Sequence, residues 1–144
     1  MTSPTPSSPS PATSRLRAAR CLAVAIAVAT LGVSIAFLFA PGFSATNIAV
    51  YTPRNTHLLA DIGAFQLAIA VALAGWAWRP DQWLGLWVAL ASQSVHALIH
   101  LRDDVLGTAV AGSNGFASAA PNVLSWALVA GVVVLAGPRR KADA

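Results

Sequence analysis

The sequence predicts an all-α membrane protein, a four-helix bundle in which each helix crosses the bilayer, preceded by a disordered N-terminal tail. Three observations predict it. Hydrophobic residues make up 56% of the 144 and charged residues only 10%, with a mean hydropathy of +0.65, a balance that a soluble domain of this size does not have. The apolar residues fall into four long runs separated by Pro, Gly and charged breaks, each near the roughly 20 residues that an α-helix needs to cross a hydrocarbon core of about 30 Å. Basic residues gather at one set of run ends, as cytoplasmic loops require.

Residues 1–14 (MTSPTPSSPSPATS) hold almost nothing that could be buried. They cannot offset the entropy of folding, and the expected tail runs through 1–19. Arg15, Arg17 and Arg20 then lead into the first span, 21–40, which is too long for the apolar region of a cleaved signal peptide. Pro41 and Gly42 end it, and a polar segment follows to Thr56. The second span, 57–78, and the third, 82–101, are joined only by the turn Arg79-Pro80-Asp81, so they must lie antiparallel and adjacent. A loop rich in Gly, Ala and Ser runs from Asp103 to Pro121, and the fourth span is 122–137. The transmembrane domain is thus 20–138, closed by a basic tail at 139–144.

Orientation follows from the nine Lys and Arg residues. Arg15, Arg17, Arg20, Arg79, Arg139, Arg140 and Lys141 fall on one side, Arg54 and Arg102 on the other. Both termini are therefore expected in the cytoplasm, in a chain of the cell membrane. Trp76, Trp78, Trp83 and Trp87 flank the Arg79-Pro80-Asp81 turn, at the headgroup depth where indole rings are favoured. Gly63, Gly75, Gly85, Gly131 and many alanines read as helix-packing residues.

Several function classes find no support. The net charge of +4 is not laid out on a surface that a phosphate backbone could follow, so no nucleic-acid partner is expected. Cys21 is the only cysteine, which excludes an internal disulfide and multi-cysteine metal sites. Ser92 and Ser94 lie in no nucleophile elbow, and the segment Gly107–Gly115 has no phosphate-loop lysine. The partner implied is the lipid bilayer; a homo-oligomer or another membrane protein is left open.

The unusual feature is polar. All three histidines and most of the acids fall near one membrane face. His57 and Asp61 are four residues apart and stack on one face of the second span, with Asn55 just before them. His96, His100 and Asp103 line one face of the third, extended inwards by Gln93 and outwards by Asp104. Counting from the turn brings Asp61 level with His100, and His57 level with Asp103 or Asp104. An unpaired ionisable group at such a depth costs about 2.5 to 3.5 kcal/mol. Asp61 and His96 are accordingly expected to face the bundle.

That cluster admits three readings. In the first, Asp61, His96 and His100 hydrogen-bond across the helix pair and fix its register, as befits a structural or accessory protein. In the second, His57, Asp61, His96 and His100 hold a transition metal or a haem, with Asn55, Gln93, Asp103 and Asp104 in support, in a membrane oxidoreductase subunit. In the third, the same groups relay protons for a small-molecule transporter. Whether the chain is an enzyme stays open. The loop from Asp103 to Pro121 could cover the cluster, although loops of this composition are more often simply mobile.

The run Asn55-Thr-His57-Leu-Leu-Ala-Asp61-Ile-Gly63-Ala, taken with Pro41-Gly42-Phe43 and with His96 and His100 at the end of the third span, resembles a group of small, largely uncharacterised four-helix membrane proteins of bacteria. The resemblance covers about residues 20–138. It implies a shared fold and a shared polar cluster, and no particular reaction. More distantly the four-helix plan is similar to DoxX-type membrane proteins, a likeness of architecture alone. Ala-rich helices and a preference for Arg over Lys fit a bacterium of high genomic GC content.

Overall fold

The structure, a computed structural model, describes residues 10–49, 55–107 and 119–137. Five helices and no strand occur among them: α1 Pro11–Phe39, α2 Pro41–Asn47, α3 Thr56–Trp78, α4 Leu84–Leu106 and α5 Ala119–Ala136. Four of these are long and apolar enough to cross a membrane. The expected disorder of 1–9, the loop over 108–118 and the basic tail lie outside the described residues.

Local start and stop signals account for where the helices differ from the sequence reading. α1 begins at Pro11, well inside the segment expected to be a disordered tail. Ser10 caps it by accepting from the Thr13 N–H, and Pro11 sits at the first helical position, where its missing N–H costs nothing. The early turns are held because Ala19 and Ala23 are fully buried and Leu16 packs against them. Composition alone did not show that burial.

The break at Ala40–Pro41 restarts a helix instead of opening a loop. Pro41 is again at a first position, and the Ser44 hydroxyl donates to the Ala36 carbonyl at 2.8 Å, folding α2 back onto the end of α1. α4 runs past 101 to Leu106 because Arg102, Asp103 and Asp104 are charged but not helix-breaking; the stop is Gly107, at φ 64. α5 begins at Ala119, with Pro121 accommodated in its first turn. Its first N–H groups gain an acceptor from outside, since Asp104 Oδ2 takes the Ala119 N–H at 2.9 Å.

The long helices form a ring in which α1 packs on α3 and α5, and α4 packs on α3 and α5. The two diagonal pairs make no close backbone approach. Each neighbour is antiparallel, as an up-down-up-down bundle requires. The main core joins Ala23, Ile26, Ile69, Leu73, Trp76, Leu86, Val129 and Val132. A smaller one unites Phe37, Ala45, Ala49 and Leu59 where α2 closes the other end. Over an 18-residue apolar stretch of each span no more than 33% of the residues are buried inside the protein, yet the outward faces carry residues such as Val28, Ile35, Val71, Val95, Leu98 and Val134. Such a surface is unstable in water and suits lipid.

Two glycines allow the closest approaches. A Cβ on Gly85 of α4 would lie 2.6 Å from the Ala72 carbonyl oxygen of α3, and one on Gly63 would lie 2.9 Å from Leu38 Cγ of α1. The Ser34 hydroxyl uses the second approach to donate to the Gly63 carbonyl at 2.8 Å. At the opposite end, neither α3 nor α5 has a basic residue in its last turn. α1 supplies them: Arg20 Nε donates to the Ala77 carbonyl at 2.8 Å and an Arg15 amino group to the Val134 carbonyl at 3.2 Å. Both arginines thereby answer the partial negative charge of a neighbouring helix C-terminus.

Candidate functional site

The turn from Arg79 to Asp81 sets α3 against α4 in the register that counting from the turn predicts. Trp76 meets Trp83 edge-on at 6.4 Å between ring centroids, Gly85 meets Ala72, and Phe65 meets His96 at 5.4 Å. Asp61 and His100 are each one turn further from the turn than the Phe65–His96 contact. Their depths agree with the sequence reading. Their surroundings do not.

Asp61 does not face the bundle. Its side chain is 64% exposed and that of His57 88% exposed, with His57 Nε2 3.7 Å from Asp61 Oδ2 along the same helix. The pair lies on the outside of α3, since Gly63 and Leu59 occupy the face pressed against α1 and α2. Asn55 is spent locally: its side-chain oxygen accepts the Leu58 N–H at 2.9 Å and caps α3. Asp103 is engaged by its neighbour, Arg102, whose guanidinium donates two hydrogen bonds to Oδ1 at 3.0 and 2.8 Å.

The polar face of α4 meets α5 instead. His96 has Asn122 as a side-chain hydrogen-bond partner and packs edge-on against His100 at 4.7 Å between centroids. Buried Gln93 donates from Nε2 to the Ser125 hydroxyl at 3.0 Å. Trp126 Nε1 donates to the Ser94 hydroxyl at 3.0 Å, which in turn donates to the Leu90 carbonyl at 2.8 Å. Together with Asp104 at Ala119, these contacts run as a ladder along the part of the α4–α5 seam nearest the start of α5, between Gln93 and Asp104 on α4 and between Ala119 and Trp126 on α5. Gln93 Oε1 is buried with no hydrogen-bond partner, and so is Trp76 Nε1.

Asn122, Ser125 and Trp126 were not singled out by sequence reasoning. A signal was present, because they stand three and four residues apart on one face of an otherwise apolar span. It lacks ionisable groups and so does not attract notice as chemistry.

The four residues considered as metal ligands separate into two pairs, His57 with Asp61 on the exposed side of α3 and His96 with His100 on α4. Among the described residues, no group of three or more His, Cys, Asp or Glu side chains is placed to hold a metal ion. The donor set therefore does not fit a four-ligand centre. What the arrangement does chemically is satisfy polar groups where lipid offers no partner. In comparisons with protein-family models, curated proteins and solved structures, nothing matches this chain.

Proposed function

We propose that this chain is a structural or accessory multi-pass protein of the cell membrane, in which the polar side chains of α4 and α5 hold the helices in register. The observation that carries the reading is the seam itself: Gln93 with Ser125, Ser94 with Trp126, His96 with Asn122 and Asp104 with the start of α5. Each such contact contributes about 0.6 kcal/mol in a membrane bundle, and together they select one rotation of α4 about its axis. The likeness to small bacterial four-helix proteins is part of the same proposal, supported by the bundle architecture.

Both termini are assigned to the cytoplasm. The support is the positive-inside bias, to which Arg15, Arg17, Arg20 and Arg79 contribute at one end of the ring. Single cysteines placed within residues 108–118 of a Cys21→Ser chain should react with an impermeant thiol reagent on intact cells. Labelling only after lysis reverses the orientation.

The functional test is elemental analysis and an absorption spectrum of the purified protein, beside thermal unfolding of His96→Ala and Asn122→Ala. The structural reading expects no stoichiometric metal or chromophore and a lower Tm in both variants. Stoichiometric metal or haem that is lost in His96→Ala overturns it. That outcome would favour a metal- or haem-binding oxidoreductase subunit, the second reading, for which the observation is the adjacent pair of imidazoles at 4.7 Å.

A further inference from the structure

We propose that the outer groove between α1 and α3 binds one acyl chain of an anionic phospholipid, with Arg17 and Arg20 holding its phosphate. The groove encloses about 870 Å³. Its walls are Val24, Val28 and Leu31 of α1 and Val71, Ala74 and Trp78 of α3, all apolar. Small side chains, Ala25, Ala70 and Ala74, make it concave. Its one charged end is formed by Arg17 and Arg20.

Three features select the occupant. The first is length. Arg20 to Leu31 is about 16 Å of helix at 1.5 Å per residue, close to half of a hydrocarbon core of about 30 Å. The groove thus spans a single leaflet, with its charged end at the headgroup layer.

The second is charge. Arg17 is exposed and, among the described residues, makes no hydrogen bond or ion pair. Arg20 is fixed at the mouth by its Nε bond to the Ala77 carbonyl, and among the described residues its terminal amino groups make no further hydrogen bond. Two guanidinium groups with no acidic side chain beside them in the groove are matched by a phosphate diester, which accepts bidentate hydrogen bonds. In the proposed orientation this is the cytoplasmic leaflet, where anionic lipids concentrate. The binding geometry itself holds in either orientation.

The third argues against a second copy of the chain. Copies in a membrane share one up-down sense, so a symmetric contact along this groove would set Arg17 and Arg20 of one protomer beside those of its partner at the same depth. Like charges there oppose association.

The experiment is native mass spectrometry of the full chain released from nanodiscs of phosphatidylcholine with and without phosphatidylglycerol. The intact protein should retain phosphatidylglycerol in preference to phosphatidylcholine. Arg17→Gln should weaken that retention about fivefold, the factor that corresponds to about 1 kcal/mol for one basic residue at an anionic surface. Among the described residues Arg17 makes no hydrogen bond or ion pair, so this variant should keep the Tm of the parent. Ala74→Leu, whose longer side chain projects from an exposed position into the groove, should reduce retention of both lipids. Equal retention of the two lipids by the intact protein overturns the proposal, as does an Arg17→Gln chain that binds phosphatidylglycerol undiminished. Cys21 at the mouth reports the rival occupant: efficient Cys21–Cys21 cross-linking in oxidised membranes would assign the groove to a second copy and overturn the lipid.

Discussion

His96 of α4 stands against Phe65 of α3, with ring centroids 5.4 Å apart, and takes its hydrogen-bond partner from Asn122 of α5. An imidazole between an aromatic ring and an amide is packed on one side and has a polar partner on the other. It is also the point at which three helices meet, and several expectations follow from how it is placed.

The first concerns the α4–α5 seam. A double-mutant cycle of Gln93→Leu and Ser125→Ala should give a coupling energy of about 0.6 kcal/mol, and not above about 1.7 kcal/mol. Thermal or denaturant unfolding in detergent measures it. Because Gln93 Oε1 is buried without a partner, Gln93→Leu by itself should cost less than the loss of a fully satisfied amide.

A second expectation concerns Asp61. The His57–Asp61 pair is exposed and lies along one helix, and such pairs contribute about 0.5 kcal/mol or less. Asp61→Asn and Asp61→Leu should therefore both leave Tm nearly unchanged. A large loss with Leu would mean that Asp61 is a buried pin after all.

The glycines should order themselves by what surrounds them. Gly85→Ala directs a methyl at the Ala72 backbone, which cannot yield without moving a helix, and should cost about 1 to 3 kcal/mol. Gly63→Ala meets Leu38 Cγ at 2.9 Å, which a rotamer change can relieve, and Phe37 Cβ at 3.0 Å, which needs only a slight shift, and should cost less. Gly75→Ala has open space and should be neutral or stabilising by up to about 1 kcal/mol through helix propensity. The Tm order Gly75→Ala, Gly63→Ala, Gly85→Ala, from highest to lowest, checks all three.

Arg20 should matter for stability as well as for topology. Arg20→Gln removes the donor that meets the Ala77 carbonyl at the C-terminus of α3, with an expected loss of about 1 kcal/mol. Arg20→Lys keeps the charge and lacks the fixed guanidinium geometry, so it should recover part of that loss. Equal Tm for the three chains would show that the contact carries no stability.

Read along the chain, the sequence by itself determined the number of spans, their breaks and the α3–α4 register. These are local or one-dimensional properties: a run of apolar residues is matched to the bilayer by length, and a turn as short as Arg79-Pro80-Asp81 ties depth to residue count. The cap at Ser10 and the stop at Gly107 were also present in the sequence, although charge at Arg15 to Arg20 and at Arg102 to Asp104 drew the expected boundaries elsewhere.

Only the tertiary structure decided which way each helix faces. The spans are apolar on nearly every side, because lipid accepts the same residues as the core. Spacing can therefore place His96 and His100 on one stripe, but it cannot say which neighbour that stripe meets. The rotation is decided by where backbones can approach, at Gly63 and Gly85, and by where polar groups find partners, at Asn122, Ser125 and Trp126. Those contacts set His96 between Phe65 of α3 and Asn122 of α5 and leave Asp61 outside, while Arg15 and Arg20 reach the carbonyls of helices far from them in sequence.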